Sequence, residues 1–200
     1  MSQFFKAVCL LLLITGCENV RNPVFLPNKP LSEGDIVFRR GTGLASRAVL
    51  TIDKKGAYSH VGIVVKDEGV WKVIHAVPGE TDLPDEPERV KMELTEVFFA
   101  PDKAVSGAVM RVDADSSVRV KAAKLAINLY RLKVPFDHSY NKDDTTKMYC
   151  SELLAYVYSR SGIDLVEGKY SEIHMLEFSG IYILPSDIQH SRHLYLVESF

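Results

Sequence analysis

The sequence has few cysteines and no excess of charge of either sign. The chain of 200 residues contains 3 cysteines and carries a formal net charge of −2. Since only Cys150 lies outside the N-terminal segment, we expect no disulfide within the folded domain. The balanced charge gives no general attraction to nucleic acid or to acidic membranes. No long run of like charge, internal repeat or low-complexity tract interrupts a composition typical of one globular domain with a hydrophobic core.

The apolar run near the N-terminus is too short to cross a membrane as a stable anchor. Only residues 7–14 form this run, whereas a spanning helix needs about 20 apolar residues. We therefore interpret residues 1–16 as a signal peptide. The run ends in Ile-Thr-Gly-Cys17, which resembles a bacterial lipobox and implies cleavage before Cys17 and attachment of lipid to it. The alternative is a signal peptide cut elsewhere, with Cys17 incidental.

Residues 17–31 are predicted to form an extended tether that follows the lipidated cysteine. This segment contains three prolines and few periodic apolar residues. The folded domain is predicted to span residues 32–200. The expected location is therefore the bacterial cell envelope, with the membrane as a partner through the lipid on Cys17.

Cys150 is a candidate reactive thiol. An unpaired cysteine in an exported protein can be a nucleophile, although a buried cysteine that acts as a small hydrophobic residue is common. Cys150, Leu153, Leu154 and Val157 follow helical spacing, and polar residues at 144–146 precede them as candidate caps. Cys150 would then lie in the first turn of a helix. That position favours the thiolate and offers free N–H groups to an oxyanion, so we expect a lowered thiol pKa.

Two histidines are predicted on neighbouring strands. His60 begins the β-branched run 60–65, and His75 lies in the apolar run 70–77. With a turn at 66–69 the runs form an antiparallel hairpin that brings His60 close to His75, so that one imidazole can orient the other. A metal pair is the alternative. It needs a third ligand, and no carboxylate or thiolate has a usual metal-binding spacing, so we predict no metal and no other cofactor.

The remaining pattern predicts one α+β domain, a small antiparallel sheet with helices packed on it. A turn at 34–35 leads into a strand, and a short helix is expected at 44–52. Further strands are expected at 90–98, 108–112, 182–184 and 194–197. Two longer helices are expected, one capped by Ser116 or Ser117 and ending near Leu132, and one over 148–161 ending at Gly162. The segments 78–87 and 134–147 are predicted to be loops that border the site.

Five short motifs in this order resemble one family of enzymes. They are GDIVF at 34–38, YSHVG at 58–62, PFD at 135–137, YCSE at 149–152 and PSDI at 185–188. The set resembles the YiiX/YebB-like cysteine hydrolases, the circularly permuted branch of the NlpC-type, papain-like superfamily, which is related to lecithin:retinol acyltransferase. The resemblance covers most of residues 31–200. It implies a permuted papain-like fold, with a small antiparallel sheet or half-barrel packed against helices and the nucleophile at a helix N-terminus.

The resemblance also assigns roles to individual residues. It implies that Cys150 is the nucleophile, His60 the base and His75 the polar residue that orients the base. Relatives often carry Glu at the orienting place, and Glu80 is the alternative in this sequence, although it lies in a loop. As possible oxyanion or supporting residues we name Tyr58, Tyr149 and Glu152, whose simpler roles are packing for the tyrosines and stabilisation of the helix dipole for Glu152.

The implied activity is thiol hydrolysis of an amide or ester, as an amidase, peptidase or esterase. The substrate is expected to be a cell-wall peptide or a lipid or other acyl compound, and this expectation rests on analogy with the superfamily. Two alternatives remain at this stage. One is an acyltransferase that uses the same thioester chemistry, and the other is a non-catalytic lipoprotein that binds an envelope component.

Overall fold

A computed structural model describes residues 26–81, 85–174 and 179–200, which form an α+β domain as predicted. The strands are β1 (Ile36–Gly41), β2 (His60–Asp67), β3 (Val70–His75), β4 (Lys91–Leu94), β5 (Ala104–Val112), β6 (Ser171–Ile173), β7 (Gly180–Tyr182) and β8 (Leu194–Ser199). The helices are α1 (Leu44–Ile52), α2 (Thr95–Phe98), α3 (Ser116–Arg131), α4 (Cys150–Ser159) and α5 (Pro185–Gln189).

Six strands form one antiparallel sheet in the order β4-β3-β2-β1-β5-β8. The strands β6 and β7 form a separate antiparallel pair. The predicted hairpin of β2 and β3 is present, with Ile63 opposite Ile74 and Asp67 opposite Val70. Its turn residues Glu68 and Gly69 have φ values of 49° and 82°, which match the two-residue turns that suit the twist of antiparallel strands.

The two faces of the large sheet contact different cores. Alternate residues of β1 and β2, such as Phe38 and Val61, point to the larger core, which includes apolar residues of α3 and α4. The residues between them, such as Val37 and Val64, point to a smaller core on the other face. This second face also carries the polar residues of the site described below, because Arg39 and His60 follow the same alternation.

Two local predictions differ from the structure, and two short elements were not predicted. The segment 90–98, expected to be one strand, is the short strand β4 followed by α2, because Phe98 packs against the smaller core and Thr95 donates to the Trp71 carbonyl. The cap of α3 is Asp115, whose carboxylate accepts from the Ser117 N–H, and not a serine. Strand β6 and helix α5 were not predicted. They are only 3 and 5 residues long, too short for a clear periodicity.

The predicted signal peptide, Cys17 and most of the predicted tether lie outside the described residues. The last part of that tether runs along the edge strand β8. Asn28 and the Lys29 N–H both donate to the Glu198 carboxylate at 2.9 Å. Within the part of the chain that the structure describes, no helix has the length and apolar character needed to cross a membrane.

Candidate active site

Cys150 is the first residue of α4, as the sequence predicts. An isolated β-bridge between Phe136 and Met148 fixes the backbone just before the helix begins. The Tyr149 N–H donates to the Glu152 carboxylate at 3.3 Å, so one of the N–H groups at the start of the helix has a partner. Leu153, which follows in the helix, is fully buried and holds α4 against the larger core.

His60 and His75 contact each other directly. His60 Nε2 lies 2.8 Å from His75 Nδ1, and both residues are buried. The ring of Phe98 packs against both imidazoles, with centroid distances of 5.7 and 5.2 Å. Phe98 belongs to α2, the helix found where the end of a strand was predicted. Helix α2 therefore covers the histidine pair.

A largely apolar cavity of about 210 Å³ brings Cys150 and His60 together. Both residues line it, while His75 lies behind His60 in the protein interior. The backbone N–H of Val61, the neighbour of His60, also interacts with the Cys150 sulfur. The nucleophile candidate on α4 and the base candidate at the start of β2 thus meet at the end of the sheet.

A buried cluster of charges lies behind the histidine pair. Glu93 on β4 places Oε1 3.1 Å from His75 Nε2. Its Oε2 lies 3.0 Å from Lys103 Nζ and 3.3 Å from Lys91 Nζ. The sequence analysis did not single out Glu93. The sequence does show that Lys91 and Glu93 alternate with other residues and so share one face of a strand. It does not show that this strand, β4, pairs with β3, which is what brings Glu93 to His75.

Burial and this charge cluster determine the protonation of the histidines. Burial, together with the nearby charge of Arg39, lowers the pKa of His60 well below its ordinary value. Burial also lowers the pKa of His75, although contact with Glu93 opposes the effect. Burial alone would raise the pKa of Glu93, but His75, Lys91 and Lys103 outweigh it and hold the pKa far below its usual range. Both imidazoles are therefore neutral near pH 7, and Glu93 is ionised.

The thiol pKa differs from the sequence-based expectation. Burial raises the pKa of Cys150, whereas contacts with Ser151 and the Val61 N–H lower it and are the weaker effect. The Cys150 sulfur lies 3.6 Å from the Ser151 hydroxyl. The resting pair is therefore a neutral thiol beside a neutral imidazole, because desolvation at this buried helix start outweighs the favourable backbone groups.

The three supporting residues named from the sequence have different surroundings. Tyr58 packs against Phe38, with ring centroids 5.6 Å apart, and does not line the cavity. The Tyr149 hydroxyl accepts from the Ile183 N–H at 3.0 Å, which joins the start of α4 to the chain after β7. Glu152 is buried, and burial together with nearby acidic residues raises its pKa to about 8.

The alternative orienting residue, Glu80, does not contact either histidine in the described structure. Its carboxylate pairs with Arg39 and lies 3.1 Å from Lys103 Nζ. Glu80 therefore shares its cations with Glu93 and helps to neutralise the charge cluster. The contact geometry favours His75 over Glu80 as the residue that orients His60.

Tyr140 lines the cavity and is a second residue, after Glu93, that the sequence analysis did not name. It lies in the predicted loop 134–147 and lines the cavity with Cys150. Burial raises the pKa of the Tyr140 phenol, and negative charge on Cys150 would raise it further. Tyr140 was hard to recognise because its backbone has a φ of 51°, a conformation that no local sequence pattern indicates.

The histidine pair does not fit a metal site. The two facing nitrogens are 2.8 Å apart and in direct contact, so no ion can lie between them. Within residues 26–81, 85–174 and 179–200, no group of three or more His, Cys, Asp and Glu side chains could hold a metal ion. We therefore derive no step of the chemistry through a metal.

Comparison with known proteins supports the fold and identifies a family. The crystal structure of the metalloprotein yiiX from Escherichia coli O157:H7 superposes on the chain with a TM-score of 0.67 and 20% sequence identity. The match covers 84% of this chain and 97% of that one, and it indicates a common fold. A search of curated proteins found no match. A family model described as permuted papain-like amidase enzyme, YaeF/YiiX, C92 family, matches residues 30–197.

That match covers nearly the whole predicted domain, and the α+β fold with its six-stranded antiparallel sheet is consistent with it. The chain therefore belongs to the YaeF/YiiX family of permuted papain-like amidases and is a cysteine hydrolase.

Proposed function

We propose that the chain hydrolyses an amide or ester through Cys150 as nucleophile, His60 as general base and His75 as the residue that orients His60. The observation that carries this proposal is the shared cavity. Cys150 and His60 line it together, and His60 Nε2 lies 2.8 Å from His75 Nδ1. Because Nε2 of His60 is occupied by that contact, Nδ1 is the nitrogen left to take the thiol proton.

The chemistry follows from a neutral thiol and a neutral imidazole. His60 Nδ1 takes the Cys150 proton as the sulfur attacks the carbonyl carbon, and an S–C bond forms while the carbonyl π bond breaks. The resulting oxyanion would be stabilised by the Cys150 N–H at the start of α4 and by the Tyr140 hydroxyl. Collapse breaks the C–N or C–O bond, and His60 returns the proton to the leaving group. Water, deprotonated by His60, then attacks the thioester carbonyl, the S–C bond breaks, and His60 returns the proton to the Cys150 sulfur.

The cavity favours an apolar acyl group over a charged peptide. Its walls include Val49, Ile52, Val77, Ile173, Tyr182 and Leu184. Arg39 is the charged side chain among the lining residues, and its guanidinium is already paired with Glu80 and donates to the Phe98 carbonyl at 3.0 Å. Among the described residues, no cation is therefore left over at this wall for the carboxylates of a cell-wall peptide, and we propose a lipid or other acyl amide or ester as substrate.

Helix α1 supports the same choice of substrate. It contributes Val49 and Ile52 to the cavity, yet none of its residues is buried. An apolar substrate would cover this helix face and gain about 25 cal/mol for each Å² of apolar surface removed from water. Transfer of the acyl group to an alcohol or amine instead of water would use the same thioester.

The predicted signal peptide and lipidated Cys17 would place this site at the bacterial cell envelope. A lipid anchor followed by a tether over 17–31 would keep the cavity close to membrane lipids, which are acyl esters and amides. We therefore propose an envelope lipoprotein whose partner is the membrane.

Turnover of a matched series of substrates tests the proposed function. The full chain would be assayed with acyl esters and acyl amides and, in parallel, with cell-wall peptides. We expect hydrolysis of the acyl compounds by the unaltered chain and a loss on the order of 10⁴-fold in Cys150→Ala and in His60→Ala. Unchanged turnover in Cys150→Ala would show that the site is wrong, and selective cleavage of the peptides would show that the substrate class is wrong.

A further inference from the structure

Glu93 contacts His75, which in turn contacts His60 in the cavity that Cys150 also lines. Its Oε1 is 3.1 Å from His75 Nε2, and both atoms are buried; the pair is in ion-pair contact, and within the described residues neither atom makes a hydrogen bond of standard geometry. Its Oε2 faces Lys103 Nζ at 3.0 Å and Lys91 Nζ at 3.3 Å. Oε1 of Glu93 thus faces the His75 ring nitrogen, with Arg39 Nη1 further away at 3.8 Å, and Oε2 faces two ammonium groups.

We propose that Glu93 is a positioning residue that determines which nitrogen of His75, and through it of His60, carries the proton. In this arrangement Glu93 keeps a lone pair on His60 Nδ1, the nitrogen available to Cys150. The proposal rests on the proposed function, in which His60 takes the Cys150 proton. It adds a fourth residue to the three named there.

The position of each proton follows from the charge of Glu93. An ionised carboxylate 3.1 Å from Nε2 attracts an N–H and repels a lone pair, so His75 carries its proton on Nε2. In a neutral imidazole the other nitrogen, Nδ1, is then an acceptor. His60 Nε2, 2.8 Å away, must therefore donate and carry the proton of His60. His60 Nδ1 is left with its lone pair free to act as a base.

The charges around the histidine pair keep Glu93 ionised. Arg39 on β1, Lys91 on β4 and Lys103 before β5 are the cations that face it, and the Arg39 Nη1 atom lies 3.8 Å from Glu93 Oε1. Glu80 is the second carboxylate of the cluster and pairs with Arg39 and Lys103. Three cations beside two carboxylates stabilise the charged form of Glu93, so protonation of Glu93 does not compete with the arrangement.

Glu93→Gln is the substitution that tests this assignment. The two lysines would attract the amide oxygen to the Oε2 position and leave the NH₂ group facing His75. His75 Nε2 would then have to accept, so its proton would move to Nδ1, which would donate to His60 Nε2. His60 would hold its own proton on Nδ1 and could no longer take one from Cys150. We expect kcat to fall about 100-fold or more, in line with the loss of a general base.

The readout is the protonation of each ring nitrogen in the full chain, measured by ¹⁵N NMR of labelled histidine without substrate. We expect His60 and His75 to carry their protons on Nε2 in the unaltered chain and on Nδ1 in Glu93→Gln. Glu80→Gln is the matched control, because the Glu80 carboxylate pairs with Arg39 and Lys103 of the same cluster but, within the described residues, contacts neither histidine, so it should leave both tautomers unchanged. A proton on His75 Nδ1 in the unaltered chain, or an unchanged tautomer in Glu93→Gln, would overturn the proposal.

The NMR result does not depend on turnover. If the tautomers change as expected but Cys150→Ala still hydrolyses substrate, the proposed function fails and the effect of Glu93 on the imidazoles stands. If Cys150→Ala is inactive but the tautomers do not respond to Glu93→Gln, the proposed function stands and the role of Glu93 is wrong.

Discussion

His60 Nε2 and His75 Nδ1 are 2.8 Å apart although the two residues are not directly opposite each other in the sheet. Because Ile63 pairs with Ile74, His75 lies opposite Gly62. Gly62 is two residues after His60 in β2 and lies on the same face of the sheet, so the two histidines are diagonal neighbours. A Cβ atom at Gly62 would lie 3.2 Å from His75 Cβ and 2.5 Å from Val73 Cγ1. The glycine therefore leaves room for the His75 side chain to reach His60.

We predict that Gly62→Ala separates the histidine pair. Overpacking of this kind costs about 1–3 kcal/mol of the free energy of unfolding, and the shift of His75 should lower kcat at substrate saturation. Gly43→Ala is the matched control, since no atom lies within 4 Å of a Cβ there. Thermal unfolding and turnover of both variants check this, and equal kcat values for Gly62→Ala and the unaltered chain would contradict it.

The pH dependence of Cys150 and His60 follows from the direction of their pKa shifts. Burial raises the pKa of the Cys150 thiol and lowers that of His60. The thiolate should therefore become abundant only above the ordinary thiol pKa of about 8.5, and His60 should stay neutral down to below about pH 6.5. We expect the rate of Cys150 alkylation by iodoacetamide to be still rising at pH 8.5. We also expect kcat/KM to be constant between pH 6.5 and 8. An alkylation rate that reaches a plateau below pH 6.5 would instead indicate a thiolate–imidazolium pair.

The apolar cavity predicts a preference for longer acyl chains. Each methylene group that enters it contributes about 0.8 kcal/mol, so kcat/KM should rise roughly fourfold per methylene until the cavity is full. Val49→Asp should reduce this gain, because Val49 lines the cavity and is not buried. Thr51→Asp is the control, on the same helix but outside the cavity lining. A chain-length profile that is identical in the two variants would count against an acyl-binding cavity.

Tyr140 is predicted to stabilise the oxyanion. Tyr140→Phe removes one hydroxyl donor from the cavity wall and leaves the ring contact with Tyr149, whose centroid is 5.4 Å away. We expect kcat to fall about 100-fold with little change in KM, as for the loss of one oxyanion donor. Tyr182→Phe, at another wall of the cavity, is the control. A change in KM alone would assign Tyr140 to substrate binding instead.

The sequence allowed the fold class and much of the central sheet to be predicted. The run 60–65, the turn before Val70 and the apolar spacing after Cys150 are local signals, and the hairpin and helix that they predict are present. Helix α1 has the predicted bounds, Leu44–Ile52. Periodicity and turn residues thus predict elements whose burial pattern is set within a few neighbouring residues.

Other features depend on contacts between distant segments. Glu93 reaches His75 only because β4 pairs with β3, and no pattern within residues 91–94 indicates that pairing. The raised pKa of Cys150 results from burial of its sulfur where α4 meets the start of β2, which outweighs the local effect of the helix N-terminus. Residues 95–98 form α2 and not a strand because Phe98 packs against the histidine pair.

The most direct test of the account is to trap the acyl group on Cys150. The full chain would be mixed with an activated acyl ester, quenched in acid within one turnover and analysed by mass spectrometry of its peptides. We predict that the mass of one acyl group appears on the peptide that contains Cys150, forms much more slowly in His60→Ala and is absent in Cys150→Ala. Hydrolysis by the unaltered chain without an adduct, together with undiminished hydrolysis by Cys150→Ala, would contradict the central claim that Cys150 and His60 carry out the reaction together.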